Sequence, residues 1–174
     1  MEEGLTLDVR KYVADDVVVL PVSMVVRDRL LRDLRWWKDV TIPEGVGCIG
    51  ERWFVNSKVE NVTIPASVTA IEREAFCDCR HLKRVIFALG SKLEKIGPKG
   101  FCRTGIEKVA IPRSLAEIRE SAFEDCENLK KIVFEEGSRL ETIGTKCFSG
   151  SCLEEIVLPA SVRELGAEAF NECR

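Results

Sequence analysis

Residues 64–82 read IPASVTAIEREAFCDCRHL, and residues 111–129, lying 47 positions further on, read IPRSLAEIRESAFEDCENL. Between and beyond them the same text recurs in shorter form, as GPKGFCRT around Phe101, GTKCFSGS around Phe148 and GAEAFNEC around Phe170. The phenylalanines Phe54, Phe76, Phe101, Phe123, Phe148 and Phe170 are spaced by 22, 25, 22, 25 and 22 residues. A fixed period in this range marks a solenoid, in which one coil cannot bury its apolar face until the next coil stacks on it. Each phenylalanine is then a rung of one continuous core. Truncating Phe101 or Phe123 to alanine in such a core costs about 3–5 kcal/mol, against a total stability of about 5–15 kcal/mol.

A second register runs through the chain. WKDVTIP, VENVTIP, LKRVIFA, IEKVAIP, LKKIVFE and LEEIVLP begin at Trp37, Val59, Leu82, Ile106, Leu129 and Leu153. Each is apolar at its first, fourth and sixth positions, which predicts a short strand with the fourth and sixth side chains turned inward. Proline ends four of them, at Pro43, Pro65, Pro112 and Pro159, because it cannot donate to a strand ladder. The other two run on through Gly90 and Gly137 in LGSKL and EGSRL, which accounts for the 25-residue steps. A second apolar pair follows, such as Val68 with Ile71 or Leu140 with Ile143, and the phenylalanine motif is expected to close each coil as a helical turn. Val62, Ile64, Ile71, Phe76 and their equivalents are the predicted interior.

The expected organisation is an α/β repeat solenoid of six clear coils, at 37–58, 59–81, 82–105, 106–128, 129–152 and 153–174. Residues 1–36 read as a degenerate capping copy. There Leu20-Pro21 lies 22 residues before Ile42-Pro43, and Leu30, Leu31 and Leu34 follow at helical spacing. The sequence stops at Arg174, midway through a repeat, so the coil around Phe170 is expected to expose apolar edge and unpaired strand backbone.

The motifs IPASVTAIEREAFCDCRHL, IPRSLAEIRESAFEDCENL and LPASVRELGAEAFNEC resemble the BspA-type leucine-rich repeat, and the resemblance covers residues 37–174. It implies a right-handed superhelix with a parallel β-sheet along one face. It further implies adhesion or other protein recognition, with no catalytic residues to carry over. Surface members of the class have secretion signals or membrane anchors, and neither is evident here.

Composition narrows the functional classes. A formal net charge of −3 gives no reason to expect nucleic acid or an anionic membrane as partner. No run approaches the roughly 18 apolar residues of a spanning helix, and MEEGLTLDVRKY lacks the basic and apolar regions of a signal peptide. The expectation is a cytoplasmic, non-enzymatic module that needs no cofactor and has no evident small-molecule substrate. A single histidine, with neither a phosphate-binding glycine loop nor a nucleophile motif, leaves catalysis unsupported. Cys77, Cys79 and His81 stand at alternate positions, but Cys79 belongs to the repeat and His81 matches Asn128, so no metal site is expected. Cys79, Cys126 and Cys173 are 47 residues apart. They would sit two coils from one another, about 10 Å, too far for a disulfide. A column of buried thiols is expected instead.

The strand face carries the candidate binding residues. Its fifth position reads Thr41, Thr63, Ile86, Ala110, Val133 and Val157, becoming apolar toward the C-terminal half. Its third position holds Arg84, Lys108 and Lys131 in the middle, beside Lys83 and Lys130. The second position alternates Lys38, Glu60, Lys83, Glu107, Lys130 and Glu154, which predicts an ion-pair ladder that fixes the stacking register. A protein partner on this face is the leading expectation, centred on Arg84, Ile86, Lys108, Ala110, Lys131, Val133 and Val157. The alternative is a fragment of a longer, adhesin-like array that self-associates through its last coil.

Overall fold

The backbone of each coil from 37–58 to 129–152 passes through two short strands and closes through a run of turns, and coil 153–174 keeps one strand. The structure, a computed structural model, describes residues 37–174 and the strands at 13–14 and 17–19. Those two strands are β1 (Val13–Ala14) and β2 (Val17–Val19). Longer and shorter strands then alternate: β3 (Asp39–Thr41), β4 (Cys48–Ile49), β5 (Asn61–Ile64), β6 (Ala70–Ile71), β7 (Arg84–Phe87), β8 (Lys95–Ile96), β9 (Lys108–Ile111), β10 (Glu117–Ile118), β11 (Lys131–Phe134) and β12 (Thr142–Ile143). The last is β13 (Glu164–Leu165).

Parallel pairing between successive coils makes two faces. The short strands form one unbroken sheet in the order β13-β12-β10-β8-β6-β4. The longer strands form β2-β3-β5-β7 and, separately, β9-β11, with β1 antiparallel to β2 at the outer edge. Within each pairing the register follows the repeat, as in Val62 opposite Val85 and Ile132 opposite Val109. β2 meets β3 with Val17 opposite Asp39, an offset of 22 residues. The rest of the expected capping segment, including the helical spacing at Leu30, Leu31 and Leu34, lies outside the described residues.

The longer-strand ladder has two interruptions. β7 and β9 lie side by side, yet among the described residues no backbone hydrogen bond joins them. The sixth expected strand, Leu153–Pro159, is likewise not paired to β11 and takes no strand conformation. Both gaps follow a coil that carries the Gly-Ser insertion. In those coils the sixth strand residue is Phe87 or Phe134, only half-buried, where the uninterrupted coils bury Ile64 and Ile111 completely. A bulky ring and two extra residues at the strand's exit spoil the spacing that a ladder needs.

The core is the column of side chains that the period dictates. Val62, Ile64, Ile71 and Phe76 are fully buried, as are Phe101, Phe123 and Phe148. The six ladder rings stack with centroids 4.8–5.5 Å apart and planes within 18°. Phe170 completes the stack half-buried, and Trp37, also half-buried, packs against the core.

The expected helical turn is corrected: no helix occurs among the described residues. Around Phe76, the N–H groups of Ala75, Cys77 and Cys79 bond back to Glu72, Glu74 and Phe76. Those of Glu74, Phe76 and Asp78 instead donate across to Pro98, Gly100 and Cys102 of the next coil. This alternation demands two left-handed residues per coil. They are Arg52 and Asn56, Glu74 and Asp78, Lys99 and Arg103, Ser121 and Asp125, Lys146 and Gly150, Glu168 and Glu172. An α-helix has no place for either, because its φ stays near −63° and every N–H stays within the segment.

Candidate strand-face interface

In a strand, alternate side chains share a face, so Arg84 with Ile86, Lys108 with Ala110 and Lys131 with Val133 point outward together. The structure places Ala110 opposite Val133 and Lys108 opposite Lys131 in direct register, while Thr63 faces Ile86 and Asn61 faces Arg84. Ile86 is 52% exposed, Val133 37% and Val157 86%, and Ala110 is exposed as well. Thr41 and Thr63 are half-buried. The apolar half of this row is thus more exposed than its polar half.

Electrostatics sharpen the picture. Like charges directly opposite on neighbouring strands are unfavourable, and Lys108 and Lys131 are such a pair. Among the described residues neither they nor Arg84 is within 4.0 Å of an acidic oxygen. The expected ion-pair ladder beside them is mostly absent. Lys38 reaches Glu60 at 3.2 Å, but among the described residues Lys83, Glu107, Lys130 and Glu154 close no further rung. Exposed pairs return too little to hold two long side chains fixed. The ion pairs that do link coils lie elsewhere, as in Glu72–Lys95 at 3.2 Å and Asp78–Arg103 at 2.7 Å.

Two features of this face were not anticipated. Leu89, in the turn leaving β7, is completely exposed. An apolar residue where the equivalent insertion has Glu136 was the available signal. The interruption after β11 also opens a groove of about 370 Å3, lined by Phe134, Ser138, Val157, Leu158, Pro159 and Ser161. The apolar row thus ends in a concavity and not on a flat surface.

Elsewhere, the thiol column takes a richer form than expected. Cys79 donates to the Phe54 carbonyl at 2.8 Å and contacts Ser57 Oγ at 3.3 Å. Cys126 repeats this with Phe101 and Thr104, and Cys173 with Phe148 and Ser151, although Cys173 is only half-buried. Hydroxyl and thiol alternate along one column: Ser57, Cys79, Thr104, Cys126, Ser151, Cys173. Cys77, Cys79 and His81 do not converge, and no cluster of three or more metal-ligating side chains occurs among the described residues. No helix there is long and apolar enough to cross a membrane.

Comparison with known proteins matches residues 47–174 to six copies of the BspA type leucine rich repeat region. The pneumococcal vaccine antigen PcpA is similar at 31% identity and a TM-score of 0.72, over 76% of this chain and 37% of that one. A leucine rich cell surface protein of Faecalibacterium prausnitzii shows 28% identity and a TM-score of 0.51, over 76% and 44%. A leucine-rich repeat protein of Eubacterium ventriosum shares the fold at 18% identity and a TM-score of 0.57, over 94% and 60%. This chain thus spans less than two thirds of the length of each. No curated protein matches the sequence.

Proposed function

This chain belongs to the BspA-type leucine-rich repeat family, and on that premise we propose that it recognises a protein partner through the face of β7, β9 and β11. The carrying observation is the exposed row Ile86, Ala110, Val133 and Val157, flanked by Arg84, Lys108 and Lys131, which have no acidic oxygen within 4.0 Å among the described residues. An apolar row needs cover, and stacked cations need a counter-charge. The partner segment that supplies both is acidic and carries apolar side chains. Leu89 and the groove beside Phe134 extend the surface at its two ends. The reading is non-enzymatic: affinity comes from the face itself, without cofactor or chemistry.

Peptide-library selection on the wild-type chain tests this, with Val133→Asp/Lys108→Glu as the parallel bait. Enrichment of acidic, apolar-containing peptides on the wild type alone supports the strand face. Equal enrichment on both baits sinks it.

A second reading has its own observation. In coil 153–174, Leu165 is 53% exposed where its equivalents Ile118 and Ile143 are buried, and the backbone of β13 pairs on one side only. A further coil stacked there, from additional chain or a second copy, would cover them, as in a longer surface array. Mass by light scattering against concentration discriminates: growth with concentration favours association through this coil, and a constant 19.5 kDa species removes it.

A further inference from the structure

The position just after each ladder phenylalanine reads Val55, Cys77, Cys102, Glu124, Ser149 and Asn171, so cysteine fills it on two consecutive coils. The two sulfurs are 2.9 Å apart, and both side chains are buried. Backbone bonds clamp the pair from either side, Phe76 N–H to Gly100 at 2.8 Å and Asp78 N–H to Cys102 at 2.9 Å. One step of about 4.8 Å between coils lies inside the range of about 4.4–6.8 Å that a disulfide spans between Cα atoms. Bond formation requires the sulfurs to close by only about 1 Å.

The two thiols have different surroundings. Arg103 places Nη2 3.5 Å from Cys77 Sγ while its Nε and Nη2 each donate to the Asp78 carboxylate at 2.7 Å. Arg103 also lines a cavity of about 400 Å3 with Arg80, Thr104 and Asp125. The hydrogen bond from Cys102 holds Cys77 below the ordinary thiol range, with Arg103 assisting and burial, Asp78 and Glu74 opposing. The same bond keeps the proton on Cys102.

We infer that Cys77 and Cys102 form a peroxide-oxidisable dithiol that closes into a disulfide between the two coils. The Cys77 thiolate attacks one oxygen of hydrogen peroxide. An S–O bond forms, the O–O bond breaks, and the leaving hydroxide takes up the proton Cys77 released. Cys77 is now a sulfenic acid, and one water has left. The Cys102 sulfur then attacks the Cys77 sulfur, so that S–S forms and S–O breaks. The second hydroxide leaves with the Cys102 proton as water. Two thiols and one peroxide become one disulfide and two waters. Cys79, Cys126 and Cys173 take no part, because each is turned onto a carbonyl and a hydroxyl of the preceding coil.

The test uses the full reduced chain, treated with hydrogen peroxide while folded. Free thiols are then blocked in denaturant, and the chain is digested with trypsin and mapped by mass spectrometry. The expected result is loss of two of the eight thiols and a link between peptides 74–80 and 100–103, reversed by dithiothreitol. Because peptide 74–80 carries both Cys77 and Cys79, fragmentation places the bond, and Cys79→Ala should retain it. Eight surviving thiols, a link through Cys79, or unlinked sulfinic acid at Cys77 each overturn the assignment. The wild-type map decides the question even where a cysteine variant folds poorly.

Discussion

Cys79 and Cys126 show what a single position contributes when it recurs in a stack. Burial pushes both thiols from 9.0 up to about 11, and moves Cys147 in the same direction. A thiol kept neutral in the fold but free to ionise when unfolded stabilises the fold fully below pH 9, and the contribution is lost as pH rises toward 11. Each of the two sites therefore withdraws about 3 kcal/mol across that window. Urea unfolding at pH 8.5 and 10.5 should show a steep fall in stability for the wild type and a shallower one for Cys79→Ala/Cys126→Ala. Parallel falls would refute the role of these thiols. The cysteines were legible in the sequence because they repeat at 47 residues. Their partners Ser57, Thr104 and Ser151 keep the same 47-residue spacing, but that they meet the thiols depends on how neighbouring coils stack.

At the scale of elements, close approach between coils sets the limits. A Cβ at Gly144 would lie 2.5 Å from the Glu120 nitrogen and 2.6 Å from the Arg119 carbonyl carbon, backbone atoms that cannot rotate away. Gly144→Ala is expected to destabilise by about 1–3 kcal/mol, whereas Gly47→Ala, with nothing within 4 Å, should be near neutral. Urea midpoints of the two variants settle the contrast. Five of the six expected strand positions, the inward residues and the ring ladder could be read from periodicity, since a period reports which side chains share an environment. The closing turn could not. Glu74 and Lys99 give no hint of a left-handed backbone, and the residues around Phe76 suit a helix as well as a turn. Only hydrogen bonding between coils decides that choice. The same holds for the proposed binding face: Ile86 and Val133 were visible as an apolar row, but the gap after β7 depends on how two coils fit.

For the whole molecule, the two faces differ in continuity. The short-strand sheet runs unbroken through six coils, while the longer-strand face is interrupted after β7 and after β11. Hydrogen exchange should therefore be faster at residues 108–111, where β9 is bonded on one side only, than at 61–64, where β5 is bonded on both. Equal protection would mean that the β7–β9 gap closes in solution. The consequence is mechanical. One side of the solenoid is an inextensible spine and the other is a row of slats hinged to it, with compliance concentrated at two joints. Bending opens or narrows the slats without breaking a bond in the spine, so the face we propose for recognition would match targets of different curvature. Any target that spans a joint turns a flexible ribbon into a rigid one.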